Sequence, residues 1–376
     1  MKIGLNALQV RAAKSGVGQY IHALTEAMLP LAPQDKFTIL CTQENVSNYS
    51  IPAPNLNPVT WGLPQQARTL RLLHEYTLLP GELKRHGFDV FHGMSNFLPL
   101  RKVCPYVVTI HDLSYYVQPE RCPPVRRHYW YAMTTRSVKL ADAIITVSEN
   151  SRRDIARFFP GAERKTHVIP EAAHARFRRI DNPREQTILA RLGLASMPYL
   201  LYVGTLEPGK NVERIVRAFD QIAREFPDHQ LVLAGDKGWL YEGILAAAEN
   251  AAAKERIHIT GHMPDDAVVE LFNFCDAFVY PSLYEGFGLP PLEAMACGAP
   301  VITSNTSSIP EVVGAAAVKV NPVKVDEIAG AMRGVLADPE FAADLRQKGM
   351  EQASKFSWGR AAAQTLEVYR KVVAGG

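Results

Sequence analysis

The stretch "AFVYPSLYEGFGLPPLEAMACGAPVITSN", residues 277–305, contains the pattern that decides the fold. It begins and ends with a short apolar run rich in Val, Ile and Phe, which is typical of strands buried in a parallel sheet. Between the runs, Pro290 and Pro291 fit a helix only in its first turn, and Gly298 favours the end of a helix. The stretch therefore predicts strand, loop, helix and strand in succession, the repeating unit of a parallel α/β sheet.

The same alternation of strand and helix runs along the chain in two series. The first series of candidate strands is "KIGLNAL", "KFTILCT", "FDVFHG", "PYVVTIHD", "DAIITVS" and "THVIP". The second is "YLLYVGT", "HQLVLAGD", "RIHITGH", "AFVYPS", "APVITSN" and "AAVKVNP". The predicted fold class is α/β, with two doubly wound Rossmann-like domains. Because parallel sheets bind ligands beyond the carboxyl ends of their strands, the active site is expected in a cleft between these domains.

A charged, proline-containing segment without strand character, residues 176–198, predicts the domain boundary. We expect a first domain over residues 1–178 and a second over residues 179–357. The amphipathic C-terminal segment, residues 358–376, either caps the second domain or crosses back to the first. The sequence leaves both arrangements open, and we favour the second.

Composition excludes several classes of protein. A chain of 376 residues, 47% hydrophobic and 21% charged, has enough apolar material for two cores. It contains no apolar run long enough to span a membrane, and its start resembles a buried strand rather than a signal peptide. The five scattered cysteines form no Cys-x-x-Cys or Cys/His cluster. We therefore expect a reducing, cytoplasmic compartment, with no structural zinc and no cofactor.

Basic residues are concentrated in the first half of the chain. Residues 61–180 hold 19 Lys and Arg against 10 Asp and Glu, whereas residues 181–376 hold 18 against 25. Either the two halves have solvated surfaces of different composition, or the first half contacts an anionic partner such as a lipid surface. No nucleic-acid-binding motif accompanies the charge, so nucleic acid is not expected as a partner.

Two carboxylates, Glu285 and Glu293, stand on either side of the glycine-containing loop in residues 284–300. Taken singly, Glu285 is explained as a solvated loop residue and Glu293 as a capping carboxylate. The loop leads into a helix N-terminus, however, where exposed N–H groups favour an anion. Together these features predict a site that binds the hydroxyl groups of a phosphate-bearing ligand such as a nucleotide-sugar.

Two further loops carry candidate phosphate-binding residues. Lys210, in "YVGTLEPGKN", is placed so that its ammonium group could face the same phosphate. The alternative is a surface lysine at a helix start, where the helix dipole makes a cation slightly unfavourable. Gly16 and Gly18, in "KSGVGQYIHAL", precede a helix but lack the third glycine of Gly-x-Gly-x-x-Gly, so they could equally form a simple turn.

His111 directly follows the predicted buried strand in "YVVTIHDLSYY". A lone histidine is more often structural than catalytic, but its position at a strand's carboxyl end favours a place in the active site. Ser148, in "ITVSENSRRDI", also ends a strand. A helix N-cap explains Ser148 without any catalytic role.

These motifs together resemble the retaining glycosyltransferases of family 4, which have the two-domain GT-B fold. The resemblance covers essentially the whole chain and is densest at "FVYPSLYEGFGLPPLEAMACGAPVITSNTSSIPEVVG", which carries the family's Glu-x7-Glu motif as Glu285 and Glu293. "GKNVERIVRAF", "TIHDLSYY", "AIITVSENSRRDI" and the glycine loop at residues 16–18 follow in the places that the family gives them.

The resemblance implies catalytic roles for His111, Lys210 and Glu285. Glu285 would contact the donor sugar, Glu293 the ribose and Lys210 the diphosphate, while His111 would lie near the transferred sugar. The implied donor-binding residues are Gly16, Gly18, Gly204, Thr205, Lys210, Asp236, Met263, Glu285, Gly286, Phe287, Gly288, Leu289 and Glu293. The family commonly has an arginine at the position of Thr205 or Gly209, so Lys210 is the only cation that this motif offers to the phosphates.

The resemblance also indicates the reaction. Similar sequences include mannosyltransferases of bacterial polysaccharide and lipopolysaccharide assembly, which implies transfer of mannose from GDP-mannose to a glycan or lipid-linked acceptor. A UDP-sugar donor and a non-catalytic nucleotide-sugar-binding protein are the alternatives. A dinucleotide oxidoreductase is not expected, because the Gly-x-Gly-x-x-Gly fingerprint is absent. No Asp-x-Asp metal motif is present, so we expect transfer without a metal.

Overall fold

The computed structural model describes residues 1–10, 16–61, 75, 77–121, 124–180, 187–191, 193 and 197–375. It divides into two compact units, one comprising Met1–Glu171 and Ser357–Gly376 and the other Ala172–Phe356. Each unit is built around a parallel sheet whose strands alternate with helices. This confirms the predicted fold class of two doubly wound α/β domains. Among the described helices, none combines the length and apolar character needed to cross a membrane.

The first unit contains a seven-stranded parallel sheet. Its strands are β1 (Lys2–Asn6), β2 (Lys36–Thr42), β3 (Leu56–Trp61), β4 (Val90–Gly93), β5 (Tyr106–Ile110), β6 (Ala143–Thr146) and β7 (Thr166–Val168). They lie in the order β3-β2-β1-β4-β5-β6-β7, with Ile3 opposite both Phe37 and Val90. The sequence patterns predicted all of these strands except β3. Pro58 argues against a central strand, but β3 lies at the sheet edge, where a proline is tolerated.

In the described residues up to Glu171, the helices are α1 (Gly16–Leu31), α2 (Leu79–His86), α3 (Ser114–Val117), α4 (Pro124–Leu140) and α5 (Glu149–Phe158). Short 3-10 helices are formed by Val46–Tyr49, Pro119–Arg121 and Ala162–Lys165. Ser148 directly precedes α5 as its N-cap, and its side chain accepts a hydrogen bond from the backbone N–H of Ser151 at 3.0 Å. The predicted N-cap role of Ser148 is thereby confirmed.

The second unit contains a six-stranded parallel sheet. Its strands are β8 (Tyr199–Val203), β9 (Gln230–Ala234), β10 (Ile257–Gly261), β11 (Ala277–Tyr280), β12 (Val301–Ser304) and β13 (Val318–Val320). They lie in the order β10-β9-β8-β11-β12-β13. The chain runs from β8 towards one edge and then returns to place β11 on the other side of β8. The strand order therefore reverses between β8 and β11, the position at which such sheets bind their ligands.

The described residues of the second unit form eight helices: α6 (Thr187–Arg191), α7 (Val212–Ile222), α8 (Glu242–Asn250), α9 (Asp265–Phe274), α10 (Leu289–Ala296), α11 (Ile309–Val313), α12 (Val325–Ala337) and α13 (Pro339–Ala353). Pro208–Lys210 and Lys254–Arg256 form 3-10 helices. Pro290 and Pro291 lie in the first turn of α10, and Gly298 follows its end with a φ of 77°, as the sequence predicts. The prolines therefore set where α10 begins, and Gly298 sets where the chain leaves it.

The C-terminal helix α14 (Trp358–Gly375) belongs to the first unit and packs against α1. It buries Leu366 and Tyr369, and the Tyr369 hydroxyl lies 2.6 Å from Nδ1 of His92 in β4. The other ring nitrogen of His92 lies 2.8 Å from the Thr109 hydroxyl. Burial, with a smaller effect from the neighbouring His111, lowers the pKa of His92 to about 3. Helix α14 is thus attached to the sheet through a neutral, fully buried histidine.

Candidate active site

Two loops leave the sheet of the second unit where its strand order reverses. The first follows β8 and contains Gly204 and Lys210, and the second follows β11 and contains Glu285 and Gly288. Because β8 and β11 are hydrogen-bonded neighbours that run parallel, both loops emerge at the same edge of the sheet. Residues 75 positions apart in the sequence are thereby brought into contact.

Lys210, Glu285 and Tyr280 form a closed polar cluster at this edge. The Lys210 ammonium Nζ donates to Oε1 and Oε2 of Glu285 at 2.8 and 3.0 Å. The Tyr280 hydroxyl donates to the same Oε1 at 2.9 Å. The side chains of Lys210 and Glu285 are only 22% and 12% exposed. We refer to these three residues as the Lys210 cluster.

The electrostatics of the Lys210 cluster favour a charged lysine and a neutral tyrosine. Burial alone would lower the pKa of Lys210, but the nearby Glu285 and Glu207 outweigh it and raise the pKa above the usual lysine value. Burial first, and Glu285 second, raise the pKa of Tyr280 well above its usual value. Tyr280 therefore keeps its proton and acts as a donor to Glu285, while Lys210 keeps its positive charge at neutral pH.

The ring of Tyr280 links the Lys210 cluster to a second tyrosine, Tyr202. The Lys210 Nζ lies 5.7 Å from the centre of the Tyr280 ring. That ring stacks on Tyr202 with centroids 5.9 Å apart and planes within 11°. The Tyr202 hydroxyl donates to the backbone carbonyl of Thr205 at 2.9 Å. The stack thus connects the loop after β8 with the loop after β11.

The loop before α10 depends on glycine at one position. Gly288 has a φ of 111°, and a Cβ atom there would lie 2.5 Å from Cδ1 of Ile309. The neighbouring Phe287 is buried and packs edge-on against Phe356. Glu293 lies in the second turn of α10 and is 9% exposed, so the alternative in which it caps the first turn is wrong.

The other residues implied for donor binding in this unit lie after neighbouring strands. Gly204 follows β8, where Thr205 is exposed. Asp236 follows β9 and is exposed, with its carboxylate 3.5 Å from Nδ1 of His262. Met263 follows β10 and is half-buried. All four stand beyond the carboxyl ends of their strands, at the same edge of the sheet as the Lys210 cluster.

In the first unit, His111 follows β5 and has acceptors at both ring nitrogens. Nε2 donates to the backbone carbonyl of Met94 at 3.0 Å, and Nδ1 lies 3.3 Å from Oε1 of Glu171. Burial alone would lower the pKa of His111, but the hydrogen bond and charge of Glu171 outweigh it, so its pKa is raised. The ring of Tyr20 contacts it edge-on with centroids 4.6 Å apart. The site therefore favours a protonated, fixed histidine.

Gly16 and Gly18 lie at the start of α1, the first exposed and the second buried. The preceding residues 11–15 of the glycine loop lie outside the described part of the chain. Two residues after Gly18, Tyr20 bonds to the Thr109 hydroxyl at 3.0 Å. The start of α1 is thereby fixed beside β5, the strand that leads to His111.

Comparison with known proteins decides the family. Residues 14–174 match the model described as Glycosyltransferase Family 4, and residues 186–352 match the model described as Glycosyl transferases group 1. The chain is 34% identical over 282 residues to O-antigen chain mannosyltransferase B of Escherichia coli, a match that covers 75% of this chain and 74% of that protein. This chain belongs to glycosyltransferase family 4.

The glycosyltransferase is also similar to part of a longer protein and to a solved structure. It is 32% identical over 284 residues to the serotype-specific mannosyltransferase WbdA of Escherichia coli, covering 73% of this chain but only 34% of WbdA. Its fold matches the sucrose-phosphate synthase of Thermosynechococcus elongatus with a TM-score of 0.79 and 22% identity over the full length of both chains. These matches confirm that the chain is an enzyme with the GT-B fold.

Sequence patterns missed several residues that contact the predicted site residues of this glycosyltransferase, among them two tyrosines and one acid. Tyr280, Tyr202 and Glu171 contact Glu285, Thr205 and His111 respectively. Two of them carry a signal that could have been used: Tyr280 and Tyr202 are tyrosines near the ends of strands otherwise composed of apolar residues. A buried tyrosine needs a partner for its hydroxyl, so such a position indicates a polar group nearby.

Proposed function

We propose that the protein is a retaining hexosyltransferase that moves mannose from GDP-mannose to a glycan or lipid-linked acceptor in cell-surface polysaccharide assembly. The Lys210 cluster is the observation that carries the proposal, because it sets a charged lysine beside a carboxylate where the strand order reverses. The choice of mannose is supported by the two Escherichia coli relatives, which are both named mannosyltransferases.

Lys210 would stabilise the leaving diphosphate. Negative charge on that group grows as the sugar bond breaks, so a fixed cation is worth more in the transition state than in the bound donor. The raised pKa of Lys210 keeps the cation present at neutral pH. Backbone N–H groups of Gly286, Phe287, Gly288 and Leu289 would add preorganised donors, which cost little reorganisation during the reaction.

Glu285 would bind hydroxyl groups of the donor sugar, and Glu293 those of the ribose. The Glu285 carboxylate already accepts hydrogen bonds from Lys210 and Tyr280. Those bonds make it a poor nucleophile, because its charge is neutralised. We therefore favour retention by attack of the acceptor on the same face as the leaving group, without a covalent glycosyl-enzyme. The role of His111 near the transferred sugar stays a prediction.

The donor is tested by thermal stabilisation. A ligand that binds only the folded state raises the melting temperature by mass action. GDP-mannose should raise it at lower concentration than GDP-glucose, UDP-glucose or UDP-galactose. If a UDP-sugar raises the melting temperature at lower concentration than GDP-mannose, the donor is the UDP-sugar and not GDP-mannose. Release of the nucleoside diphosphate only when an acceptor is added distinguishes transfer from simple binding, and the NMR coupling at the anomeric carbon of the product establishes retention.

Activity should not require a divalent metal, since Lys210 and the loop amides would supply the positive charge. Nucleotide release is measured with the purified enzyme before and after treatment with excess EDTA. Equal rates support the proposal. Activity that disappears with EDTA and returns with Mg²⁺ or Mn²⁺ would instead assign the phosphate charge to a metal.

We also propose that the first unit contacts an anionic membrane that carries a lipid-linked acceptor. The exposed basic residues of the described first unit include Arg101, Lys102, Arg136, Lys139, Arg152, Arg153, Arg157 and Arg164. In the same unit, the apolar side chain of Val125 at the start of α4 is 86% exposed. A basic surface with an exposed apolar side chain suits a membrane interface, where each basic residue contributes about 1 kcal/mol.

Sedimentation with vesicles tests this contact. Binding to vesicles that contain phosphatidylserine should weaken as salt is raised, because the attraction is screened. Val125→Asp should reduce binding, whereas Val323→Asp, at a residue of the second unit that is 56% exposed, should not. Equal binding to neutral vesicles, or none at low salt, would mean that the basic surface is simply solvated.

A further inference from the structure

Two consecutive serines bind both backbone polar groups of Glu285. The Glu285 N–H donates to Oγ of Ser307 at 3.0 Å. The single proton of the Ser308 hydroxyl is shared between two backbone carbonyls, that of Phe287 at 2.7 Å and that of Glu285 at 3.0 Å. The serines follow β12, whereas Glu285 follows β11, so the contact joins loops from neighbouring strands. We call this pair the serine clamp.

Ser307 makes its contact from a conformation that serine rarely adopts. Its φ is 56°, in the left-handed region where a side chain crowds the backbone. A residue stays in such a conformation only when its surroundings enforce it. Here the surroundings include Ser308, which is fully buried, and Asn305, whose N–H donates to the carbonyl of Val320 at 2.9 Å. Ser307 is therefore fixed from both sides and can in turn fix Glu285.

Glu285 has no polar atom left without a partner. Its carboxylate is bound by Lys210 and Tyr280, and its backbone by Ser307 and Ser308. Two independent sets of contacts thus determine where the carboxylate lies. Without the serine clamp, the Glu285 carboxylate would keep its hydrogen bonds to Lys210 and Tyr280. The Glu285 main chain, however, would be free to move together with the loop that follows it. A carboxylate that recognises particular sugar hydroxyls depends on such fixed placement.

We propose that Ser307 and Ser308 are positioning residues that act through Glu285 to hold the donor sugar, an inference that rests on the proposed function of Glu285. Neither serine need touch the donor. Their contribution is to keep the Glu285 backbone in the one position from which its carboxylate meets the sugar. The inference concerns recognition of the sugar and not of the nucleotide.

The first test compares two ligands that differ only by the sugar. Ser307→Ala removes the acceptor of the Glu285 N–H and keeps the backbone, so it should weaken GDP-mannose binding about 3- to 10-fold. Binding of GDP should stay unchanged. Both affinities are measured by calorimetry. If the donor screen selects a UDP-sugar, that sugar and UDP are used instead of GDP-mannose and GDP. Asn305→Ala is the matched control, because its exposed side chain is in the same turn and its backbone bond to Val320 is kept. Equal weakening of GDP and GDP-mannose would overturn the inference.

A double-mutant cycle provides the second test. If Ser307 acts through Glu285, Ser307→Ala should lower kcat/KM for the donor in the wild type but not in the Glu285→Gln background. Ser307→Gly, which relieves the left-handed strain but also lacks the hydroxyl, should behave like Ser307→Ala. Additive losses in the double mutant overturn the role of Ser307 while leaving that of Glu285 intact. Full activity of Glu285→Gln alone overturns the proposed role of Glu285 and the inference with it.

Discussion

Substituting Lys210 alone, which breaks its ion pair with Glu285, should reduce both turnover and stability. Substituting both residues should restore stability but not turnover. Lys210→Met keeps much of the lysine's apolar stem but leaves the Glu285 carboxylate with the Tyr280 hydroxyl as its remaining described side-chain partner. Glu285→Gln keeps the shape of the side chain and removes its charge. The double variant contains neither charge, so no unpaired ion remains in this half-buried position.

The structure sets the expected size of these effects. Removing one partner of a fully buried ion pair costs about 3–5 kcal/mol, whereas an exposed pair contributes less than about 1 kcal/mol. Lys210 and Glu285 are 22% and 12% exposed, between these limits. We therefore expect Lys210→Met to lower the free energy of unfolding by about 1–3 kcal/mol, or the melting temperature of the second unit by about 2–10 °C. The double variant should lie within about 1 kcal/mol of the wild type.

Turnover should follow a different pattern from stability. Loss of one preorganised stabiliser of transition-state charge reduces kcat by about 10²–10³. Lys210→Met and the double variant should both show this loss at saturating donor, although only the first is destabilised. Calorimetric unfolding and nucleotide-release assays on the same three variants separate the two effects. If Lys210→Met keeps most of its turnover, another group neutralises the diphosphate and the role assigned to Lys210 is wrong.

Two further predictions concern pH and the loop before α10. The pKa of His92 is about 3 in the folded state, far below the ordinary value of about 6.5, so its contribution to stability is complete above pH 6.5 and is lost as pH falls. Between pH 8 and pH 5, wild type should lose about 2 kcal/mol more than His92→Gln in urea titrations, and parallel losses would contradict a neutral His92. Gly288→Ala should weaken donor binding and lower the melting temperature, because its φ is 111° and the new Cβ would meet Ile309 at 2.5 Å. Gly330→Ala, in the middle of α12 where a Cβ meets nothing within 4 Å, is the control, and equal behaviour of the two variants would refute the argument.

The sequence predicted elements better than contacts between them. Short apolar runs and the position of Pro290 were enough to place the central strands and α10, because these signals are local. The contact of Lys210 with Glu285 depends on β8 and β11 being neighbours, which the order of elements along the chain does not reveal. The alternative in which Lys210 is a surface lysine is wrong for the same reason, since its side chain is only 22% exposed and contacts Glu285 and the ring of Tyr280.

The serine clamp shows a second limit of sequence reasoning. Ser307 belongs to a run of polar residues, "SNTSS", that suggests an ordinary surface turn. It lies between β12 and α11, and its φ of 56° is in the left-handed region. A residue type that seldom adopts this conformation gives no local sign of it. Such positions become visible only when the main chain is known.

The route of the chain through its two units also bears on how the protein is made. Many two-domain proteins fold their N-terminal domain first as it leaves the ribosome. Here the first unit needs Ser357–Gly376, whereas the second unit, Ala172–Phe356, is continuous. Translation of that intervening stretch takes about 10–40 s at rates of about 5–20 residues per second. During this time the surface of α1 that packs against α14, and the buried His92 that contacts Tyr369, remain without these partners, while the second unit is free to fold.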